Sequence, residues 1–204
     1  MPVYEKRATL FLDLLGFREL IRSKRERHIV DALQVSRSSE AMFRRNSIDF
    51  RVSAFSDSIV CSARIVAERN YIPATYVGLY AGQLTLELLT RGILVRGALT
   101  VGRLYHDERT VFGPALIAAY ETESQHAIYP RILINPRVSG DILMSLIIGN
   151  DDTRYFSELN PFRDDFDGWR HLDVLGPHYL DVRPKSLRLK KAHGIKDLGY
   201  VTSQ

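Results

Sequence analysis

The stretch ATLFLDLLGFREL, residues 8–20, decides the fold, because it has the pattern of a buried strand that ends in a charged residue. Leu10, Phe11 and Leu12 are apolar, and Asp13 follows them directly. A carboxylate without a partner in such a setting is strongly unfavourable. The sequence therefore predicts that Asp13 meets a metal ion, an Arg or Lys side chain, or the N-terminus of the helix that follows. In the last case Asp13 would simply cap that helix.

The composition is that of an ordinary globular domain. The chain has 204 residues, of which 45% are hydrophobic and 25% charged, which suits one domain with an appended segment. It has no apolar run of the length expected for a membrane span, and its first residues lack the apolar core that a signal peptide is expected to have. The single cysteine, Cys61, suits a reducing cytoplasm. The net charge of +4 fits an anionic ligand but does not indicate nucleic acid. We expect a cytoplasmic protein with neither nucleic acid nor membrane as partner.

The order of the predicted elements indicates an α+β domain over residues 1–148. Strands are expected at 8–13, at 48–63 as a pair, and at 131–135, with a strand, a Gly-rich bend and a hairpin over 93–113. Helices are expected over 17–45, 73–91, 114–127 and 137–148. This order suits a mixed or antiparallel sheet covered by helices on one face, as in a ferredoxin-like palm.

Residues 149–204 have a different character. Their first part is polar, acidic and aromatic, and the stretch RPKSLRLKKAHGIK, 183–196, is strongly basic. We expect a C-terminal segment that packs on the domain or on a partner subunit. The basic run is either a solvated helix face or a source of Lys and Arg side chains for an anionic site.

A second acidic residue, Asp57, lies in the stretch FSDSIV, 55–60, at the predicted turn between two apolar strands. Hairpin turns favour Asp because its side chain can accept a hydrogen bond from the nearby backbone. Considered by itself, Asp57 is therefore interpreted as a turn residue. If the strands that carry Asp13 and Asp57 are neighbours, however, the two carboxylates meet at one edge of the sheet. Such paired oxygen ligands suit Mg²⁺ or Mn²⁺, which usually keep phosphate and water ligands.

Arg96, in the predicted strand ILVRG, is a third charged residue that needs a partner. It either forms a salt bridge with one of the two aspartates or clamps a phosphate, since the guanidinium fork matches phosphate oxygens. Further along, His106 and Asp107 fall at the predicted hairpin tip. We expect His106 to be an exposed loop residue there and not a metal ligand.

In this order, FLDLLGF, FSDSIV and RGALTVG resemble the class III nucleotidyl cyclase catalytic domain over residues 8–135. The resemblance implies that Asp13 and Asp57 hold Mn²⁺ or Mg²⁺, and that the Leu14 carbonyl contributes to a second ion. It also implies a nucleoside triphosphate substrate, with the backbone at Gly16 and Phe17 and the side chain of Arg96 on its phosphates. Sites of this family lie at a subunit interface, which implies a homodimer.

The chain departs from the purine cyclases at three positions. Laying FGPALIAAYETE on the family pattern puts Ile117 and Glu121 where those enzymes have an Asn and an Arg. Ser53 falls where they have a Lys or Glu that contacts the purine. Whole segments instead resemble the pyrimidine cyclases of the Pycsar antiphage defence system. This implies conversion of UTP, or less readily CTP, to the cyclic monophosphate and diphosphate, with a separate effector that binds the product.

Two residues on the strand before Asp57, Phe50 and Ser53, are then expected beside the base. For Phe50, a place in the hydrophobic core is an equal alternative. Two other functions also stay open. A palm-type synthase of di- or oligonucleotides would carry a Gly-Gly-acidic turn, which FSDS lacks, and a catalytically silent module would bind a nucleotide or a partner without turnover.

Overall fold

The computed structural model describes residues 3–23, 27, 29–31, 33–36, 48–66, 72–138 and 162–176. The strands are β1 Glu5–Leu14, β2 Phe50–Phe55, β3 Ser58–Arg64, β4 Val95–His106, β5 Val111–Phe112, β6 Ile132–Ile134, β7 Phe162–Asp164 and β8 Arg170–Leu172. The helices with complete bounds are α1 Phe17–Arg22, α2 Ile72–Leu89 and α3 Pro114–His126.

The strands form one mixed sheet in the order β2-β3-β1-β4-β6-β8-β7, and β5 pairs with the far end of β4. Strand β1 lies in the middle, antiparallel to both β3 and β4, and β6 runs parallel to β4. This arrangement confirms the predicted α+β class and the mixed sheet.

Helices cover both faces of the sheet. Alternate residues of β1, among them Leu10 and Leu12, are fully buried in one core that includes Tyr80 and Leu84 of α2. Phe11 points to the opposite face, where it packs with Val60 of β3 and Ala119 of α3. The expectation that helices lie on one face only is therefore wrong, because α3 returns across the second face.

Strand β4 is continuous where the sequence suggested a bend. It runs for 12 residues through Gly97 and Gly102, where a Gly-rich bend was expected. Gly97 is needed for close approach, since a Cβ there would lie 2.3 Å from the Phe11 carbonyl oxygen. Gly97 thus lets β4 pass close to β1, Gly102 faces Ala115 of α3, and neither glycine ends the strand.

Part of the C-terminal segment belongs to the sheet, because β8 pairs with β6 through His171 and Leu133. The buried guanidinium of Arg131 supports this edge by pairing with Asp165 and Asp167 in the turn between β7 and β8. The basic run 183–196 and nearly all of the expected helix 137–148 fall outside the described residues. Within the described ranges, no helix combines the length and the apolarity that crossing a membrane requires.

Candidate active site

The strand register brings Asp13 and Arg96 side by side. They are directly paired on β1 and β4, although 83 residues separate them in sequence. The Nε–H group of Arg96 donates a hydrogen bond to Asp13 Oδ2 over 3.2 Å. Asp13 does not cap α1, because the N-cap residue is Gly16, with a φ of 77° and no side-chain capping bond. The structure thus excludes the helix-capping alternative and gives Asp13 the cationic partner that its position requires.

Asp57 lies next to this pair at the turn between β2 and β3. Its neighbour Ser58 is paired with Asp13 across the β1–β3 ladder, and the Asp57 carbonyl accepts the N–H of Leu14 over 2.8 Å. The turn is tight, since Ser56 has a φ of 53°. None of the described hydrogen bonds involves the Asp57 carboxylate. The turn therefore does not use this side chain as a hydrogen-bond acceptor within the described residues. The strands that carry the two aspartates are therefore neighbours, which is the condition under which the sequence analysis expected the two carboxylates to lie close together.

Glu123 of α3 is a third carboxyl group at the site, and the sequence analysis did not single it out. Only 2% of its surface is exposed, and its Oε1 lies 2.6 Å from Arg96 Nε. That nitrogen has a single hydrogen, which is directed to Asp13. Glu123 Oε1 is therefore near the positive charge of Arg96 but has no aligned hydrogen-bond donor among the described residues. Glu123 could have been suspected from the buried face of α3, on which Ala115, Ala119 and Thr122 recur at helical spacing.

The site carries more negative than positive charge. Burial raises the pKa of Asp13, and the charge of Asp57 acts in the same direction, against the hydrogen bond and charge of Arg96. Burial also raises the pKa of Glu123, and again the negative charges of Asp13 and Asp57 add to the effect while Arg96 opposes it. One guanidinium thus does not balance the surrounding carboxylates, and a bound cation would relieve the repulsion.

Asp13 and Asp57 are the residues that fit a metal ion. Their oxygens are the hard ligands that Mg²⁺ and Mn²⁺ prefer, and no His or Cys of the site competes. In the part of the chain that the structure describes, no three His, Cys, Asp or Glu side chains are spaced as a complete metal site. An ion here would take its remaining ligands from water and from a substrate, as Mg²⁺ usually does.

The backbone after Asp13 is only partly available to a ligand. The N–H groups of Leu14 and Leu15 already donate to the carbonyls of Asp57 and Leu94. Gly16 is exposed, and Phe17 is partly buried against the core at the start of α1. Of the four residues at this turn, Gly16 and Phe17 therefore remain as candidate phosphate-binding positions.

The two residues expected beside a base are on opposite faces of the sheet. Ser53 pairs with Val60, which pairs with Phe11, and so lies on the face that carries Asp13. Phe50 is 1% exposed on the other face, where its ring meets that of Tyr80 at 5.3 Å. The structure thus supports the core alternative for Phe50, because strand alternation turns it away from the site.

His106 is not an exposed loop residue, contrary to the expectation. It ends β4, is 6% exposed, and its two ring nitrogens contact Ser62 Oγ at 2.8 Å and Ser53 Oγ at 2.9 Å. The prediction was wrong because β4 continues through its glycines and carries His106 back over β2 and β3. Alternation along β4 is the one signal that could have placed it, since His106 shares a strand face with the buried Leu104 and Thr100.

Comparison with solved structures identifies the fold. The chain is similar to the adenylyl cyclase CyaB of P. aeruginosa, with a TM-score of 0.53, 15% identity and coverage of 71% of this chain and 81% of that one. It is also similar to the monomeric guanylyl cyclase domain of the RhoGC fusion protein from the fungus Blastocladiella emersonii, with a TM-score of 0.54, 15% identity and coverage of 83% and 95%. No protein-family profile and no curated protein matches the sequence. The chain thus has the palm fold of class III nucleotidyl cyclase catalytic domains, established by its structure and not by sequence identity.

Proposed function

We propose that this protein is a nucleotide cyclase that converts a nucleoside triphosphate to its 3′,5′-cyclic monophosphate and diphosphate. The observation that carries the proposal is the meeting of Asp13, Asp57 and Arg96 at adjacent strand ends, with an excess of negative charge, on a class III cyclase fold. Metal-binding carboxylates and a phosphate-binding guanidinium are the groups that phosphoryl transfer needs, because the protein mainly positions and stabilises charge.

In the proposed reaction the ribose 3′-oxygen attacks the α-phosphorus in line. The bond from O3′ to the α-phosphorus forms, the bond from the α-phosphorus to the bridging oxygen of the β-phosphate breaks so that diphosphate leaves, and the hydroxyl proton passes to solvent water. Asp13, Asp57 and the Leu14 carbonyl would hold Mn²⁺ or Mg²⁺, which would supply Lewis acidity for the hydroxyl and for the phosphate oxygens. Arg96 and the backbone of Gly16 and Phe17 hold the triphosphate.

Arg96 must exchange partners for this role. In the structure its guanidinium pairs with Asp13 and lies against Glu123. A cation at Asp13 would release Arg96 toward the phosphates, since the metal then neutralises the carboxylate. The salt-bridge alternative and the phosphate-clamp alternative thus become two states of the same residue.

We propose a pyrimidine substrate, UTP in preference to CTP, and a role in antiviral defence of the Pycsar type, with a separate effector that binds the product. The support is the loss of purine-cyclase residues: Ile117 and Glu121 replace the Asn and Arg, and Ser53 replaces the purine-contacting residue. Ile117 and Glu121 are exposed on α3. A homodimer would cover this surface and place the partner's residues near the site.

A product assay with each of the four nucleoside triphosphates tests the function. The purified protein is incubated with Mn²⁺ or Mg²⁺, and the products are separated by chromatography. We expect cyclic UMP, with less cyclic CMP, and loss of both in Asp57→Ala. Asp164→Asn, an exposed carboxylate on β7, is the matched control and should keep full activity. A linear or cyclic dinucleotide would indicate a palm-type synthase, and tight binding without turnover would indicate a silent module.

A further inference from the structure

A series of four hydrogen-bonded polar side chains lies on the face of the sheet that carries Asp13. Arg7, with 0% of its surface exposed, donates from Nε to Ser62 Oγ over 2.8 Å. Ser62 Oγ contacts His106 Nδ1 at 2.8 Å, and His106 Nε2 contacts Ser53 Oγ at 2.9 Å. We call this series from Arg7 to Ser53 the hydrogen-bond relay. Its first three members are buried, whereas Ser53 is half-buried at its open end.

The direction of the relay follows from its buried end. The Arg7 guanidinium can only donate, so that Ser62 Oγ accepts from it and keeps its own proton. Among the described residues, the other polar contact of that hydroxyl is His106 Nδ1. If Nδ1 carried the imidazole hydrogen, the buried Ser62 proton would have no acceptor, and we therefore assign Nδ1 as its acceptor. The imidazole hydrogen then lies on Nε2 and is donated to Ser53 Oγ. Ser53 keeps its own proton, free for a group outside the relay.

The imidazole must be neutral for Nδ1 to accept. Burial lowers the pKa of His106 to about 4, and the positive charges of Arg7 and Arg51 act in the same direction. The negative charges of Asp49 and Asp107 oppose this shift but do not cancel it. At neutral pH the ring therefore has one donor and one acceptor nitrogen, which the relay orients.

Ser53 lies within a nucleoside's reach of the metal-binding carboxylates. It is on the same sheet face as Asp13 and two strands away, at the level of Phe11, which lies two residues before Asp13 on β1. Strand spacing and rise put the two Cα atoms about 12 Å apart. A triphosphate held at Asp13 and Asp57 could thus extend its base toward the open end of the relay.

We propose that the relay makes Ser53 a hydrogen-bond donor that selects a base with an oxo group over one with an amino group. This inference rests on the proposed cyclase function and deepens it. Uracil presents the O4 acceptor where cytosine presents the N4 amino donor. The Ser53 hydroxyl pairs with O4, whereas an amino group would face a donor. With the opposite tautomer of His106, Ser53 would spend its proton on Nε2 and offer only lone pairs, which would favour the amino base.

The first test is the base preference of variants at the two ends of the relay, measured as the ratio of kcat/KM for UTP to that for CTP. Ser53→Ala should lower the ratio about tenfold, the loss of one hydrogen bond. Ser53→Thr keeps the hydroxyl and should restore the preference. Ser124→Ala, which removes an exposed hydroxyl on α3, is the control and should leave the ratio unchanged.

Substitutions of His106 test the direction in which the hydrogen bonds of the relay run. Gln can accept from Ser62 with its oxygen and donate to Ser53 with its nitrogen, so His106→Gln should keep the preference for UTP. Glu can only accept, so His106→Glu should take the proton of Ser53 and shift the preference toward CTP. A merely structural role of His106 predicts that both variants lose activity with an unchanged UTP-to-CTP ratio, and this result would overturn the proposal.

A measurement that does not depend on turnover is the tautomer of His106, read from the ¹⁵N chemical shifts and couplings of its ring nitrogens. We expect the hydrogen on Nε2, and a hydrogen on Nδ1 would overturn the relay. Calorimetric titration of UTP and CTP with Mn²⁺ separates the two proposals. If the wild-type protein cyclises UTP and Ser53→Ala keeps the same preference, only the relay falls. If it binds neither UTP nor CTP, the pyrimidine substrate and the relay both fall, and failure to bind any of the four nucleoside triphosphates would overturn the cyclase function as well.

Discussion

The two faces of the central strands have different chemistry, although the same strands contribute alternate residues to each face. On the face under α2, Leu10, Leu12 and Leu14 of β1 are buried among apolar side chains. On the other face, the same strand presents Arg7, Thr9, Phe11 and Asp13, of which Arg7 and Thr9 are fully buried. A fold of this size does not need buried charge for stability, because buried polar groups cost free energy unless they are paired. The comparison indicates that the first face holds the fold together and the second is shaped for a function.

The second face also shows polar groups that are not satisfied. Thr9 and Thr100 are paired residues on β1 and β4, and both are buried. Among the residues that the structure describes, neither hydroxyl has a hydrogen-bond partner. Glu123 Oε1 at the acidic end has none either. These groups lower stability and are therefore the places where substitutions separate the roles of the two faces.

The largest effect is expected for Asp13→Asn. It removes the charge that we propose binds a metal ion and should lower cyclisation at least about a hundredfold, since a metal site supplies several kcal/mol of transition-state stabilisation. The fold should survive, because burial already disfavours the charged form of Asp13 and Arg96 keeps Glu123 nearby. Cyclase assays and thermal denaturation of the same preparation check the two halves of this prediction. An active variant would show that Asp13 is structural.

The apolar face should behave in the opposite way under Leu12→Ala. Leu12 is fully buried, so that its truncation should destabilise the protein by about 3 kcal/mol through lost transfer energy and a cavity. Cyclase activity of the fraction that stays folded should change little. Denaturant unfolding monitored by circular dichroism measures the free-energy change. A loss well below 1 kcal/mol would mean that this face is not the tightly packed core that the structure shows.

The free energy of unfolding should fall in acid because of His106. Its pKa is about 4 in the folded chain, below the usual value of 6.5, so that the unfolded state takes up the proton first as the pH falls. Stability due to the neutral ring is complete above pH 6.5 and is lost as the pH falls toward 4, by about 3 kcal/mol in all. The measurement is the difference in unfolding free energy between wild type and His106→Gln across this range. A difference that does not change with pH would contradict the burial of a neutral imidazole.

The smallest effect is expected for Thr9→Val, which replaces an unsatisfied buried hydroxyl by a methyl group of similar shape. The free energy of unfolding should stay the same or rise by up to about 1 kcal/mol. Thr122→Val is the informative contrast, because the Thr122 hydroxyl accepts from Asn135 and donates to the carbonyl of Ala118. That variant should be destabilised, and a larger loss for Thr9→Val than for Thr122→Val would contradict the assignment of the unsatisfied groups.

Local patterns were enough to predict most of the elements. The run from Leu10 to Leu12 predicted β1, and the turn at Asp57 predicted the β2–β3 hairpin, since both depend on alternation and turn residues close in sequence. The meeting of Asp13 and Arg96 depended on the register of strands 83 residues apart, which no local pattern fixes. It was anticipated because each charge needed a partner.

The errors have a common cause in long-range packing. Gly97 and Gly102 suggested a bend, but they lie inside β4 because neighbouring chain segments approach too closely for a side chain. With the bend assumed, His106 was placed at an exposed tip instead of against Ser53 of β2 and Ser62 of β3. Glu123 was missed because its burial depends on how α3 crosses the sheet, which is decided by tertiary contacts with β1 and β4.

The most direct test of the cyclase assignment is a ³¹P NMR time course of the wild-type protein with UTP and Mn²⁺. The account predicts that a cyclic phosphodiester and diphosphate appear in equal amounts while the triphosphate resonances decline, and that Asp57→Ala gives neither. Release of inorganic phosphate without a cyclic product, or an unchanged triphosphate at high enzyme concentration with all four nucleotides, would contradict it.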